Sequence, residues 1–502
     1  MTDSSLAAAP SVAVCPSAAP TPASAQASAP AARSHHGWAL VVLLVGAILP
    51  PVDYFIVNLA LPAIHTGLAA SAAQLQMVVS AYACANAVAQ ITGGRLGDLY
   101  GRKRMFMIGM AGFVLASTLC GLATSGAMLV GARILQGLFA AVLAPQVLAT
   151  IRSVFTPHEQ VRVMGFYGFV FGVAAVIGQL GGGALISLHP FGLGWRAIFL
   201  VNLPIGALAL LGSWRFIPES RPPRGARIDV PGTVLLSLFL LMLVYPLTRG
   251  REEGWPTWML ICLAASVPML GALLRVEARS LARGHDPLLD VRLFRNPVVA
   301  LGLTLAFLFY TLSAFFLSYG IYLQGALHWT PLACGVAILP FGLGFLSSPL
   351  LMPRLVFRLG GYRVLTLGFA LIALGLAAAA SLANVGAPGA GFYLGLAAMG
   401  VGQGLVLPSV VRIVLAEVEP ARAGVASGMV TATLQIGAAV GAATLGGVFF
   451  SHLGAHPAAL DYVQGFRISM FALVGILGVC VLISLALGPM HRRLHPQQAQ
   501  QV

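Results

Sequence analysis

Along its 502 residues the sequence breaks at charges, Pro-Gly clusters and polar turns into fourteen apolar stretches, each about twenty residues long, and this rhythm limits the possible folds more than any other feature. A helix rises about 1.5 Å per residue, so about 20 apolar residues cross the roughly 30 Å hydrocarbon layer of a bilayer with the backbone satisfied internally. The stretches lie at 38–64, 74–94, 105–123, 126–151, 161–187, 197–217, 231–247, 257–274, 298–323, 331–353, 364–384, 390–415, 424–450 and 467–488. With 58% hydrophobic and 8% charged residues, the chain lacks the polar surface of a soluble protein this long. Lipid is its expected solvent, and the expected fold class is an all-α polytopic membrane protein.

The formal net charge of +14 could suggest nucleic-acid binding, but the arginines stand in short loops between apolar runs. They read as topology signals. Most of the 28 basic residues fall on one side if both termini are cytoplasmic; Arg196, Arg249, Arg251 and Arg467 fall on the other, and Arg133 lies within a stretch. Residues 1–37 are rich in Ala, Ser and Pro and read as a disordered cytoplasmic tail with no cleavable signal. A six-helix bundle is expected over 38–217, an insert with two further helices over 218–297, a second six-helix bundle over 298–488 and a cytoplasmic tail over 489–502. A repeat supports this division: Gly94-Arg95-Leu96-Gly97-Asp98-Leu99-Tyr100-Gly101-Arg102-Lys103-Arg104 has a degraded echo in Leu355, Arg358, Gly360 and Arg363. Phe357 replaces Asp98 in the echo, so only the first copy keeps the charge pattern.

The 94–104 segment resembles the loop signature of the major facilitator superfamily, and other runs are similar to its fourteen-span drug:proton antiporters. Asp53-Tyr54-Phe55-Ile56-Val57-Asn58-Leu59-Ala60-Leu61-Pro62 is similar to a first-span motif, with Phe55 where threonine is usual. Arg133-Ile134-Leu135-Gln136-Gly137 resembles a fourth-span motif, and the glycines from Gly165 to Gly183 resemble the antiporter motif of exporters, with Gln179 where that motif has proline. Trp195-Arg196-Ala197-Ile198-Phe199-Leu200-Val201-Asn202-Leu203-Pro204 matches the fourteen-span subfamily. The resemblance implies a multidrug exporter of the inner membrane, and a conformational switch in which Asp98 and Arg102, with Gly94, Gly101 and Lys103, hold helix ends together in one alternating-access state and release them in the other.

Read from the residues themselves, Asp53 is the one acid inside a stretch, and a charge there costs at least about 2.5–3.5 kcal/mol on insertion scales, so function is the default reading. A dry pocket favours a protonated carboxyl and a facing arginine a charged one, so exchange between such surroundings, with Arg133 as partner, makes a proton switch. Two structural readings stay open: Asp53 caps a helix restarting after Pro50-Pro51, or it merely pairs with a structural arginine. Tyr82, Asn86 and Gln90 share a face, as do Arg133 and Gln136, and with Asn58, Gln179, Tyr310, Gln403 and Gln435 they are candidates for a substrate cavity. Interhelical hydrogen bonding is the competing role for the amides. Tyr310, Phe315, Phe316, Tyr319 and Tyr322 suit stacking on flat apolar ligands or binding cations, and for Tyr319 and Tyr322 an outer aromatic belt is the favoured reading.

The 11 histidines lie in tails, loops or helix ends and the 6 cysteines stand alone, so no enzyme site, metal site or cofactor is expected. No G-x-x-x-x-G-K-[ST] loop is present, which leaves ion gradients as the energy source. One embedded carboxylate points to exchange of about one proton, driven by about 2.3 kcal/mol per 100 mV and about 1.4 kcal/mol per pH unit. Neutral or monocationic amphipathic substrates fit that drive. The expected partners are a small-molecule substrate, protons and the lipid bilayer, with a periplasmic adaptor as a candidate and no nucleic acid. The competing functions are transport of one specific metabolite, outward or inward, and a non-transporting membrane sensor or scaffold.

Overall fold

The computed structural model describes residues 30–155, 159, 163, 170, 172–220, 229–283, 287–418, 423–454 and 456–494. Most of the tail expectation, the first half of the 161–187 stretch and the last eight residues lie outside them. The described chain is helical throughout. Its elements are α1 (Pro30–Leu68), α2 (Ala72–Tyr100), α3 (Arg102–Gly121), α4 (Gly126–Val154), α5 (Gly172–Leu188), α6 (Gly194–Phe216), α7 (Val230–Arg249) and α8 (Thr257–Ala282). They continue with α9 (Pro297–Leu327), α10 (Pro331–Leu359), α11 (Gly361–Leu382), α12 (Ala390–Ala416), α13 (Ala423–Ser451) and α14 (Ala459–Leu494).

Among the described residues, 12 of these helices are long and apolar enough to cross a membrane, which makes the chain a multi-pass membrane protein. The other two are α2 and α5. Helix α2 has the length, at 29 residues, but Gln74, Gln76, Asn86, Gln90, Arg95 and Asp98 dilute its apolar character. Helix α5 is short among the described residues.

Helices α1, α3, α4 and α6 pack together with α2, while α10, α11, α12 and α14 pack together with the two parts of α9. The two groups meet where α2 lies along α13, where α1 meets α9, and where α5 meets α10. Helix α7 leans on both α2 and α13, and α8 packs mainly on α7, so this pair leaves most of its surface facing outward.

Helix α1 runs unbroken through Pro50, Pro51 and Pro62. Asp53 is therefore interior to a helix and does not cap a restart, which removes one of the two structural readings.

The 94–104 segment is mostly helical, against the expectation of a loop. Residues 94–100 close α2, Gly101 makes the turn, and Arg102 opens α3. The turn requires glycine, since Gly101 has φ +102° and ψ 136°, a region closed to side-chain-bearing residues. Gly360, between α10 and α11, has φ +80° and ψ 154°, and each glycine donates its N–H to the carbonyl four residues back, Gly97 or Val356, at 3.0 and 2.9 Å. The degraded sequence echo thus preserves a backbone conformation.

Two expectations fail on burial. Tyr319 and Tyr322 are core residues: Tyr322 stacks on Phe466 with centroids 4.7 Å apart and donates to the Asn384 carbonyl at 2.9 Å, and Tyr319 donates to the Cys334 carbonyl at 3.3 Å. Each hydroxyl finds a backbone acceptor, which makes burial affordable where a lipid headgroup was expected. Glu277, expected beyond the end of its helix, lies within α8 and is fully buried, because α8 extends to residue 282. Its carboxylate accepts from the Leu289 N–H at 3.2 Å, while Asp229 accepts from Gly232 and Leu288 at 2.9 Å each.

Candidate functional site: a buried ion pair beside a large cavity

Asp53 sits mid-way along α1, 0% exposed, and three polar side chains converge on it. Arg133 Nη1 donates to Oδ2, while Gln136 Nε2 and Asn202 Nδ2 donate to Oδ1 at 2.8 and 3.2 Å. Arg133 and Gln136 are one turn apart on α4 and so share a face. Arg133 Nη1 also donates to Gln136 Oε1 at 2.7 Å and its Nε to the Val78 carbonyl of α2 at 3.0 Å. Asn202, on α6, further donates to Ser117 Oγ of α3 at 2.9 Å, and Ser117 donates to the Phe199 carbonyl at 2.9 Å. The carboxylate thus ties α4 and α6 to α1 directly, and Arg133 and Asn202 extend the network to α2 and α3. A buried ion pair persists only when its remaining donors and acceptors are met, and this network meets nearly all of them.

A cavity of about 920 Å³ lies beside this cluster, between the two groups of helices. Of the candidates read from sequence, Tyr82, Asn86, Gln90, Tyr310, Gln403 and Gln435 line it. Asp53, Arg133, Asn58, Gln136 and Gln179 do not. Gln136 serves the carboxylate. Asn58 is buried and donates to the Tyr54 carbonyl at 2.8 Å, one turn back along α1. Gln179 is buried in a π-helical stretch, Ile177–Gly181, so this segment is distorted without the proline that the resemblance would put there. Phe316, one of the aromatics of the ninth stretch suited to stacking on flat ligands, also lines it; Tyr54, Phe55 and Phe345 add aromatic faces that sequence reading had not assigned to the cavity, and Ser313 and Thr431 add hydroxyls.

The cavity opens at the end of the molecule where α2 turns into α3, its mouth marked by Gly94, Arg95, Asp98, Arg102, Asp290 and Arg292. Arg102 pairs with Asp98 at 3.3 Å and donates to the Ala149 carbonyl of α4 at 3.0 Å. Lys103 Nζ donates to the Trp214 carbonyl at 2.7 Å, and Glu219 accepts from the Lys103 and Arg104 N–H groups at 3.1 and 3.2 Å, capping α3. All these partners belong to the α2–α6 half. At the opposite end the two halves are in contact: a Cβ on Gly183 would fall 2.4 Å from the Pro331 carbonyl oxygen, and Gln324 donates to the Leu59 carbonyl at 3.0 Å. Glycine there is what lets α5 and α10 close.

A model of the Major Facilitator Superfamily matches residues 43–442 and 299–501. The chain belongs to the major facilitator superfamily. It is accordingly a secondary-transporter-family protein and not an enzyme. Among relatives in this superfamily, it is 35% identical over 429 residues to the "Probable actinorhodin transporter" of Streptomyces coelicolor, covering 84% of this chain and 74% of that one. It is 36% identical over 463 residues to the "Puromycin resistance protein pur8" of Streptomyces alboniger, covering 88% and 89%. The major facilitator fold is also found in the crystal structure of the nucleoside transporter NupG, with a TM-score of 0.59 at 14% identity, over 91% of this chain and 99% of that one.

Asn202 is the partner of Asp53 that sequence reading missed. It stood within a run already noted for its subfamily likeness, but no periodicity links α6 to α1 across 149 positions.

Proposed function

We propose that the chain exports small amphipathic compounds, neutral or monocationic, in exchange for protons, with Asp53 as the proton-carrying carboxylate and Arg133 as its partner. The observation that carries this reading is a buried carboxylate held by three polar side chains directly behind the wall of a cavity large enough for a drug-sized ligand. Such a carboxylate can take up a proton only if its partners rearrange, which makes protonation and conformation mutually dependent. The aromatic and amide lining suits flat ligands bearing a few hydrogen-bonding groups. The names of the relatives, which refer to actinorhodin transport and puromycin resistance, point the same way.

In this reading the chain spans the cytoplasmic membrane fourteen times, as six helices, an inserted pair (α7 and α8) and six helices, with both termini and the 94–104 turn in the cytoplasm. The conformation described is then inward-open. In it Asp98 and Arg102 pair with one another at 3.3 Å.

The test is proton movement in proteoliposomes under an imposed pH gradient, read by an internal pH dye while flat aromatic compounds, ethidium and puromycin among them, are added. Compound-provoked proton flux with the wild type and none with Asp53→Asn supports the proposal. Equal responses from the two place coupling elsewhere, and silence across the panel favours a transporter of one specific metabolite.

A further inference from the structure

Asp53 and Arg133 have no accessible surface and do not line the cavity, so a ligand there cannot touch the pair. Tyr82 touches both sides. One face of its ring lies against the Arg133 guanidinium, whose central carbon is 4.1 Å from the ring centroid, and the side chain forms part of the cavity wall with Asn86 and Gln90 on the same helix face. Its hydroxyl donates to the Pro50 carbonyl at 3.4 Å, and Pro50 and Pro51 continue that wall one turn before Asp53.

The backbone beneath Tyr82 is fixed. Arg133 Nε holds the Val78 carbonyl one turn earlier, and Gly137 lets α4 approach so closely that a Cβ there would fall 2.4 Å from the Tyr82 carbonyl oxygen. The ring itself is 2% exposed, held by Arg133 on one face and by the Pro50 carbonyl at its hydroxyl. Arg133 Nη2 has no hydrogen-bond acceptor among the described residues, and the π face of Tyr82 stabilises the guanidinium in its place. Such a contact contributes about 2 kcal/mol when desolvated.

We infer that Tyr82 is the positioning residue through which a ligand in the cavity acts on the Asp53–Arg133 pair. With the ring in place, the pair is sealed from cavity water and Arg133 is held in its grip on Asp53. A ligand in the cavity that displaces the ring removes both the seal and the π face. Once the cavity faces outward, the guanidinium can then swing away, and outside water delivers a proton to the freed Asp53 oxygen as the ligand leaves, while Arg133 keeps its charge; the proton is released inward when the empty cavity turns back and the pair re-forms. This inference rests on the proposed proton exchange, and it locates the step that links the two sites.

The test compares Tyr82→Leu, Tyr82→Met and Tyr82→Phe with wild type in proteoliposomes, reading proton leak without compound and the number of protons moved per molecule of a wild-type substrate found in the same panel. Tyr82→Leu and Tyr82→Met should leak several-fold faster and lose most of the coupling ratio, while compound binding, read by tryptophan-fluorescence quenching, changes only a few-fold. Tyr82→Phe keeps the ring and should stay near wild type. The inference is overturned if either aliphatic variant remains proton-tight with a wild-type ratio, or if Tyr82→Phe is as uncoupled as Tyr82→Leu. A wild type that moves no protons with any compound overturns the underlying reading itself, which is a different result.

Discussion

Asn202 of α6 and Gln136 of α4 donate to the same oxygen, Oδ1, of Asp53, leaving Oδ2 to Arg133. One oxygen therefore faces two neutral amides and the other a permanent cation. Protonation of Oδ2 requires Arg133 to leave, whereas the amides can hold Oδ1 throughout, so they act as a fixed cradle around a moving charge.

If the cradle stabilises the charged carboxylate, Asn202→Ala should weaken gradient-driven transport. A hydrogen bond to a charged group contributes about 1.5–3 kcal/mol, so a loss of roughly tenfold or more in transport rate is expected, with substrate binding little changed. Initial rates of labelled-compound movement set beside equilibrium binding check this, and a variant that transports normally would show the amide to be dispensable.

Arg133→Leu strands a buried carboxylate. Breaking a buried pair costs about 3–5 kcal/mol, whereas removing both charges is often close to neutral. Thermal unfolding in detergent should show Arg133→Leu well below wild type and Asp53→Asn/Arg133→Leu substantially recovered, yet the recovered variant should remain inactive in coupled transport. A stable and fully coupled double variant would mean that the pair is structural.

Gly101→Ala and Gly360→Ala place a Cβ where φ is strongly positive, at a cost of about 1–3 kcal/mol each. Gly101→Ala should be the worse of the two, because its Cβ would also fall 2.6 Å from Glu219 Oε1 while the site at Gly360 is open. Melting temperatures of the two variants test that order.

The turn between α7 and α8 reaches both halves: Glu252 accepts from the Ala73 N–H at 2.7 Å and from Ser71 Oγ at 3.0 Å, while Arg251 donates to the Phe450 carbonyl. Glu252→Ala releases one side of this strap. It should raise the labelling rate of a cysteine placed at Gln324, at the closed end, by a few-fold; unchanged labelling would make the strap inert.

How much of this was legible in the sequence depends on the range of the signal. Local patterns were readable: the apolar rhythm, the charge of Asp53 within it, and the stripe of Tyr82, Asn86 and Gln90, all of which line the cavity. The pairing of Asp53 with Arg133 was expected because Asp53 is the one acid inside a stretch and Arg133 the only basic residue well inside one. What failed depended on tertiary context. Tyr322 belongs to the core because Asn384, in the connection after α11, supplies a carbonyl, and the fourth member of the charge cluster, Asn202, lies 149 positions from Asp53. Gln136 pointed along the expected face and found Asp53 there, when a cavity was expected.

The most direct test of the central claim separates movement of substrate from movement of protons. Proteoliposomes containing wild type or Asp53→Asn are loaded with a labelled substrate and followed in two modes, exchange against unlabelled substrate at equal pH and concentrative transport driven by a pH gradient. The account predicts that Asp53→Asn retains exchange, because the cavity is intact, and loses gradient-driven accumulation. Accumulation by Asp53→Asn at the wild-type level would contradict it.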